Sequence, residues 1–142
     1  MKALDGLIRL HRWKLDEKRL KLAELERLVG GLREEIRNLG ERVAQEQVVA
    51  AGSNEANFSF GVFATEAVER RRRLEQSLAE AEEQMHAAGE EVAEAFRELK
   101  KFDVVKTREV RLAEERTRRQ EQAVLDEVGL TVFRRNKKEG AA

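Results

Sequence analysis

The chain has 142 residues, 39% of them charged and 5% aromatic, with no proline, cysteine or tyrosine. Its 28 basic and 28 acidic side chains cancel, which argues against nucleic acid or an anionic membrane as the main partner of the whole molecule. Without cysteine there are no disulfides and no thiolate chemistry, as in a reducing compartment; no run of about 18 apolar residues could span a bilayer, and Asp5 and Arg9 interrupt the N-terminal apolar stretch, so no secretory signal is expected and the cytoplasm is the expected location.

The first fifty positions carry a seven-residue apolar repeat. Ile8, Leu15, Leu22, Val29, Ile36, Val43 and Ala50 are seven apart, and Leu4, Leu25, Leu32 and Leu39 take the companion positions three after that set. A mean spacing of about 3.5 residues is the seam of a left-handed coiled coil. This predicts a helix over about 3–50. Gly30, Gly31 and Gly40 lie inside it, each costing about 1 kcal/mol relative to alanine. The repeat keeps its phase through them, so continuity with a bend is expected, a break at Gly30-Gly31 being the alternative.

Residues 51–61 mix Gly, Ser and Asn and are expected to form the loop. A second helix is expected over about 62–133, with a seam through Leu74, Leu78, Ala81, Met85, Ala88, Val92, Ala95, Leu99 and Phe102. Ion pairs are expected at Glu66–Arg70, Glu69–Arg73, Glu114–Arg118 and Glu115–Arg119. The tail 134–142 is basic, and the part after Arg135 is expected to fray.

Two long helices joined by one loop fold antiparallel. The predicted fold is therefore an all-α two-helix antiparallel coiled-coil hairpin in a single domain, with a C-terminal helical overhang. Between Leu74 and Phe96 there is no Lys or Arg, but Glu75, Glu80, Glu82, Glu83, Glu90, Glu91 and Glu94 are present. The window expected to face them holds Lys18, Arg19, Lys21, Arg27, Arg33 and Arg37. The first helix is too short to cover residues beyond about 112. Ala113–Gln122 is polar enough to stand in water, whereas Ala123, Val124, Leu125, Val128, Leu130, Val132 and Phe133 form an apolar cluster followed by Arg134 and Arg135. A lone helix cannot bury that face. A second copy or another protein is expected to cover it.

Signals for catalysis are weak. His11 and His86 are expected to lie far apart in the hairpin, so no metal site follows. Gly30-Gly31 lacks the residues of a phosphate-binding loop. No cofactor is expected. Phe58, Phe60 and Phe63 read either as a plug closing the coiled coil or as an exposed apolar contact. The run from Arg70 and Arg71 through Arg73 reads either as a solvated face balanced by glutamates or as a patch for an acidic partner. Trp13 fits a core edge or an interface equally well. A noncatalytic binding protein is the expected class.

Two segments carry a resemblance. Met1-Lys2-Ala3-Leu4-Asp5-Gly6-Leu7-Ile8-Arg9-Leu10, with Lys14-Leu15-Asp16-Glu17-Lys18-Arg19, resembles the start of the flagellar export protein FliJ. Arg119-Gln120-Glu121-Gln122-Ala123-Val124-Leu125-Asp126-Glu127 is similar to that family's late Gln/Glu-rich segment. The resemblance implies a component of the flagellar type III export apparatus, cytoplasmic and peripherally associated with the inner-membrane machinery without inserting into the membrane. It implies a stalk that binds the hexameric export ATPase through the open end of the hairpin, and an export gate and substrate chaperones elsewhere. Leu125, Asp126 and Glu127 match the family segment, and with Val124, Val128, Phe133, Arg134 and Arg135 they are the candidates for the ATPase side. Phe58, Phe60, Phe63, Arg70 and Arg71 are the candidates for the loop side. The glycines of the first helix depart from the family pattern. A self-associating scaffold without ATPase coupling is the alternative.

Overall fold

The computed structural model describes residues 2–140. Two helices account for nearly all of them: α1 over Lys2–Ala50 and α2 over Asn54–Gly140. They pack against each other as the antiparallel hairpin that the heptads predict. The chain divides into two compact units, residues 9–98 and residues 1–8 with 99–142. A two-helix layer has no central core that gathers distant parts of the chain.

In the unit of residues 9–98, Leu15, Val29, Leu39 and Ala50 of α1 are buried with Ala67, Ala81 and Ala88 of α2. Val29 is 2% exposed. The remaining predicted seam residues of this unit are half-buried, among them Leu22, Leu25, Leu32, Ile36 and Val43 on α1 and Leu74, Leu78, Met85, Val92 and Ala95 on α2. Alanines at the closest positions let the helix backbones approach, while larger side chains fill the flanks. In the other unit, Ile8 and Leu99 are buried and Leu4 and Phe102 half-buried.

Charges run in the direction expected. Within residues 9–98, Lys18 Nζ donates to Glu91 Oε2 at 3.1 Å, Lys21 Nζ lies 4.0 Å from the same oxygen, and Arg33 Nη2 donates to Glu82 Oε1 at 3.0 Å. Residue numbers fall on α2 as they rise on α1, as antiparallel packing requires. In the other unit Lys106 Nζ is 2.7 Å from Asp5 Oδ1. The predicted pairs within α2 are replaced by others. Glu69 pairs with Arg72 at 2.7 Å, and Arg71 with Glu75 at 3.0 Å. Among the described residues, Glu66–Arg70, Glu114–Arg118 and Glu115–Arg119 are not paired. On a solvated helix the i,i+3 and i,i+4 partners differ by only tenths of a kcal/mol, so spacing does not select between them.

The loop is three residues long, not eleven. Gly52 N donates to Val49 O at 3.2 Å, closing the end of α1. The Ser53 hydroxyl then accepts from Ala56 N at 3.1 Å, and the Ser53 carbonyl accepts from Asn57 N at 3.0 Å. Ser53 is thus the N-cap of α2, and Glu55 adds a carboxylate in the first turn. Residues 54–61, expected as loop, are helical because one cap suffices to start the helix. Residues 136–140, expected to fray, are also helical. Lys137 and Lys138 in the last turn offset the C-terminal partial charge.

α1 passes unbroken through Gly30 and Gly31, as continuity of the repeat predicts. Neither glycine has positive φ, and a Cβ at either would meet nothing within 4 Å. Replacing both by alanine is expected to raise unfolding stability by about 1 kcal/mol per site, since alanine loses less backbone entropy on entering a helix. Urea unfolding followed by circular dichroism checks this; a loss of stability would mean that the glycines serve a packing role.

Acid is expected to weaken ion pairs both across and along the helices. The Lys18 ammonium, by hydrogen bond and then by charge, with Lys21 beside it, holds the Glu91 carboxyl below the usual carboxylate range. Arg37 does the same to Glu34, and Arg72 to Glu69. A lowered pKa in the folded chain contributes stability above the unfolded value and loses it as pH falls through the folded one. Stability should therefore be flat near neutrality and fall below about pH 4–5. The Glu91→Gln variant should lose less on acidification, measured by urea midpoints at matched salt.

Candidate partner-binding surfaces

From Val104 to Gly140 every residue of α2 is exposed except Glu115, which is half-buried. The described part of α1 does not cover this stretch. Asp5, near the start of α1, already pairs with Lys106. The sequence placed the end of cover near 112; the last consecutive half-buried residues are Phe102 and Asp103.

Within this stretch Val124, Leu125, Val128, Leu130, Val132 and Phe133 are all exposed, Leu125 and Phe133 at 63%. Leu125, Val128 and Val132 follow one another at steps of three and four and so share one face. Val124 and Leu125 share one open face of α2 with Thr117, Gln120 and Glu121. Asp126 Oδ1 accepts from Gln122 Nε2 at 2.9 Å, so its carboxylate is held along the helix. Thr131 Oγ1 donates to Glu127 O at 2.9 Å. Arg134, Arg135, Lys137 and Lys138 form no ion pair among the described residues. All eight residues proposed for this surface therefore lie on one exposed helical segment.

The loop-side candidates do not form one patch. Phe58 is 77% exposed, whereas Phe60 and Phe63 are half-buried. The Arg42 guanidinium sits 5.9 Å from the centroid of the Phe63 ring. Phe60 and Phe63 thus close the hairpin end, while Phe58 points away. Arg71 is tied to Glu75, and Arg70 is exposed.

Two features are decided only by the packed structure. A small apolar groove lies between Leu39, Gly40 and Val43 of α1 and Ala64, Ala67 and Val68 of α2, with Arg71 at its rim. Its signal was the run of small residues that continues the α2 seam toward the loop. Trp13 is the second. It is 57% exposed, with Leu10 and Leu20 exposed near it along the outward face of α1. Trp13 lies five positions after Ile8 and two before Leu15, opposite the seam.

A carboxylate or imidazole cluster suited to a metal does not occur among the described residues, and no described helix is long and apolar enough to cross a membrane. His86 stands in solvent with Nε2 3.3 Å from Glu90.

The family model described as Flagellar FliJ protein matches residues 1–138. The chain belongs to the FliJ family. Neither the curated proteins nor the solved structures return a match. Family membership makes this chain a component of flagellar type III protein export.

Proposed function

We propose that this FliJ-family chain is the stalk that binds and stimulates the hexameric flagellar export ATPase. The single observation that carries this reading is the uncovered apolar segment of α2, Val124 to Phe133, followed by Arg134 and Arg135. An exposed stripe on a helix that its own α1 cannot reach is an interface waiting for a partner. Leu125, Asp126 and Glu127 sit in the segment similar to the family's, which favours the ATPase over an unrelated partner. In this reading an asymmetric two-helix rod biases the ring subunits between states. All hydrolysis residues belong to the ATPase.

The loop-proximal surfaces, with Phe58, Arg70, Arg71 and the neighbouring groove, are left for the export gate and for substrate chaperones. The chain would then associate peripherally with the inner-membrane export apparatus. Titrating the chain into the cognate ATPase tests the reading. Turnover and hexamer formation should both rise and saturate. No change across stoichiometries would reject it, and a tight homodimer burying Val124 to Phe133 would favour the scaffold instead.

A further inference from the structure

The C-terminal three turns of α2 have a charge pattern that the zero net charge of the whole chain conceals. Between Asp126-Glu127 and Glu139, the stretch Val128-Gly129-Leu130-Thr131-Val132-Phe133-Arg134-Arg135-Asn136-Lys137-Lys138 contains four basic residues and no acidic one. Every residue of it is helical and exposed. At about 100° per residue, Leu125, Val128, Gly129, Val132 and Phe133 span an arc roughly 140° wide, which Asn136 shares and at whose Phe133 edge Asp126 stands. Arg135 lies seven residues after Val128, beside it, and Lys137 lies four after Phe133, beside it. Arg134 and Lys138 stand on the opposite side, and Leu130 falls near the basic edge.

The helix dipole accounts for only part of this. It favours cations within the last turn, which covers Lys137 and Lys138. Arg134 and Arg135 lie farther in. A groove on a protein reads a narrow stripe of anchors. Here the apolar arc is wide and basic side chains border both of its edges. That is the pattern of a helix lying in a membrane interface, its apolar side among the acyl chains and its long cations reaching back to headgroups.

We propose that residues 128–138 of α2 bind the surface of an anionic bilayer, with Val128, Val132 and Phe133 inserted shallowly and Arg134, Arg135, Lys137 and Lys138 at the phosphates. No span is involved. The site goes beyond the stalk reading and uses some of the same residues, so lipid and ATPase compete for it. Release from the surface would accompany docking into the ring.

The test uses the full chain and phosphatidylcholine vesicles with and without phosphatidylglycerol, by flotation. Binding is expected to the anionic vesicles alone and to weaken with salt. Arg134→Glu with Arg135→Glu should lower partitioning at least about tenfold. Val132→Ser with Phe133→Ser should lower it comparably, with helical content unchanged in both variants. Trp13, the only tryptophan, should keep its emission on binding, because it is outside the site. Equal binding to neutral vesicles, no binding to anionic ones, or variants that bind like the parent would overturn the proposal. So would a blue shift of Trp13, which would place the contact on α1, or binding to polyglutamate without binding to vesicles, which would indicate an acidic protein groove. No ATPase is present in this assay, so its failure leaves the stalk reading intact, and failure of the ATPase titration leaves this one intact.

Discussion

Leu15→Ala is expected to lower the unfolding free energy by about 2–4 kcal/mol, whereas Leu20→Ala should change it by no more than about 0.5. The two leucines are five residues apart on one helix. Leu15 is 3% exposed and lies on the seam; Leu20 is 65% exposed on the outward face. Truncating Leu15 removes buried methyl groups and leaves a void that α2 can only partly close. Truncating Leu20 removes atoms already in water. Urea unfolding monitored at the helix band measures both. A two-helix layer has few other contacts to spread the loss over, so the midpoint for Leu15→Ala should move far. Equal effects at the two sites would mean that the seam does not dominate the stability of the hairpin.

Leu125→Asp should abolish or strongly reduce stimulation of the export ATPase while leaving helical content and unfolding midpoint nearly unchanged. The residue is 63% exposed in the uncovered part of α2, beside the comparably open Val124. Within the free chain the aspartate meets only water. Across an interface it would place a charge against apolar surface, and truncation or charge at such anchors typically costs 2 kcal/mol or more, roughly 30-fold in affinity. The decisive comparison is the pair of variants. Leu15→Ala should weaken the fold first, and Leu125→Asp only the partnership. If Leu125→Asp unfolds the chain, the segment is not free; if it stimulates like the parent, the ATPase does not use it.

The fold was legible in the sequence wherever spacing alone decides it. Each a and d residue assigned on α1 from Leu4 to Ala50 is buried or half-buried. The seam of α2 from Leu74 to Phe102 behaves likewise. The reading went wrong at the turn, where Gly, Ser, Asn and Phe resemble a long loop. One hydroxyl, that of Ser53, bonds Ala56 N and starts α2 eight residues earlier than expected. The aromatic cluster divided for a related reason. Whether Phe58 or Phe60 turns inward depends on where the helix begins, and composition does not contain that.

For the functional surfaces the balance differs. The exposed segment at Val124 to Phe133 followed from a comparison of helix lengths. The groove at Gly40 and Ala67, and the outward position of Trp13, required the packed pair.

The sequence by itself determined the pair of helices, their common seam, their antiparallel sense and the surplus length of the second. These follow from local periodicity and from how many residues each helix has. Only the tertiary structure decided which exposed cations find partners, where the turn is cut, and which apolar residues off the seam stay in water. Those outcomes depend on competition between side chains a few tenths of a kcal/mol apart, and such competition is settled by the neighbour across the interface.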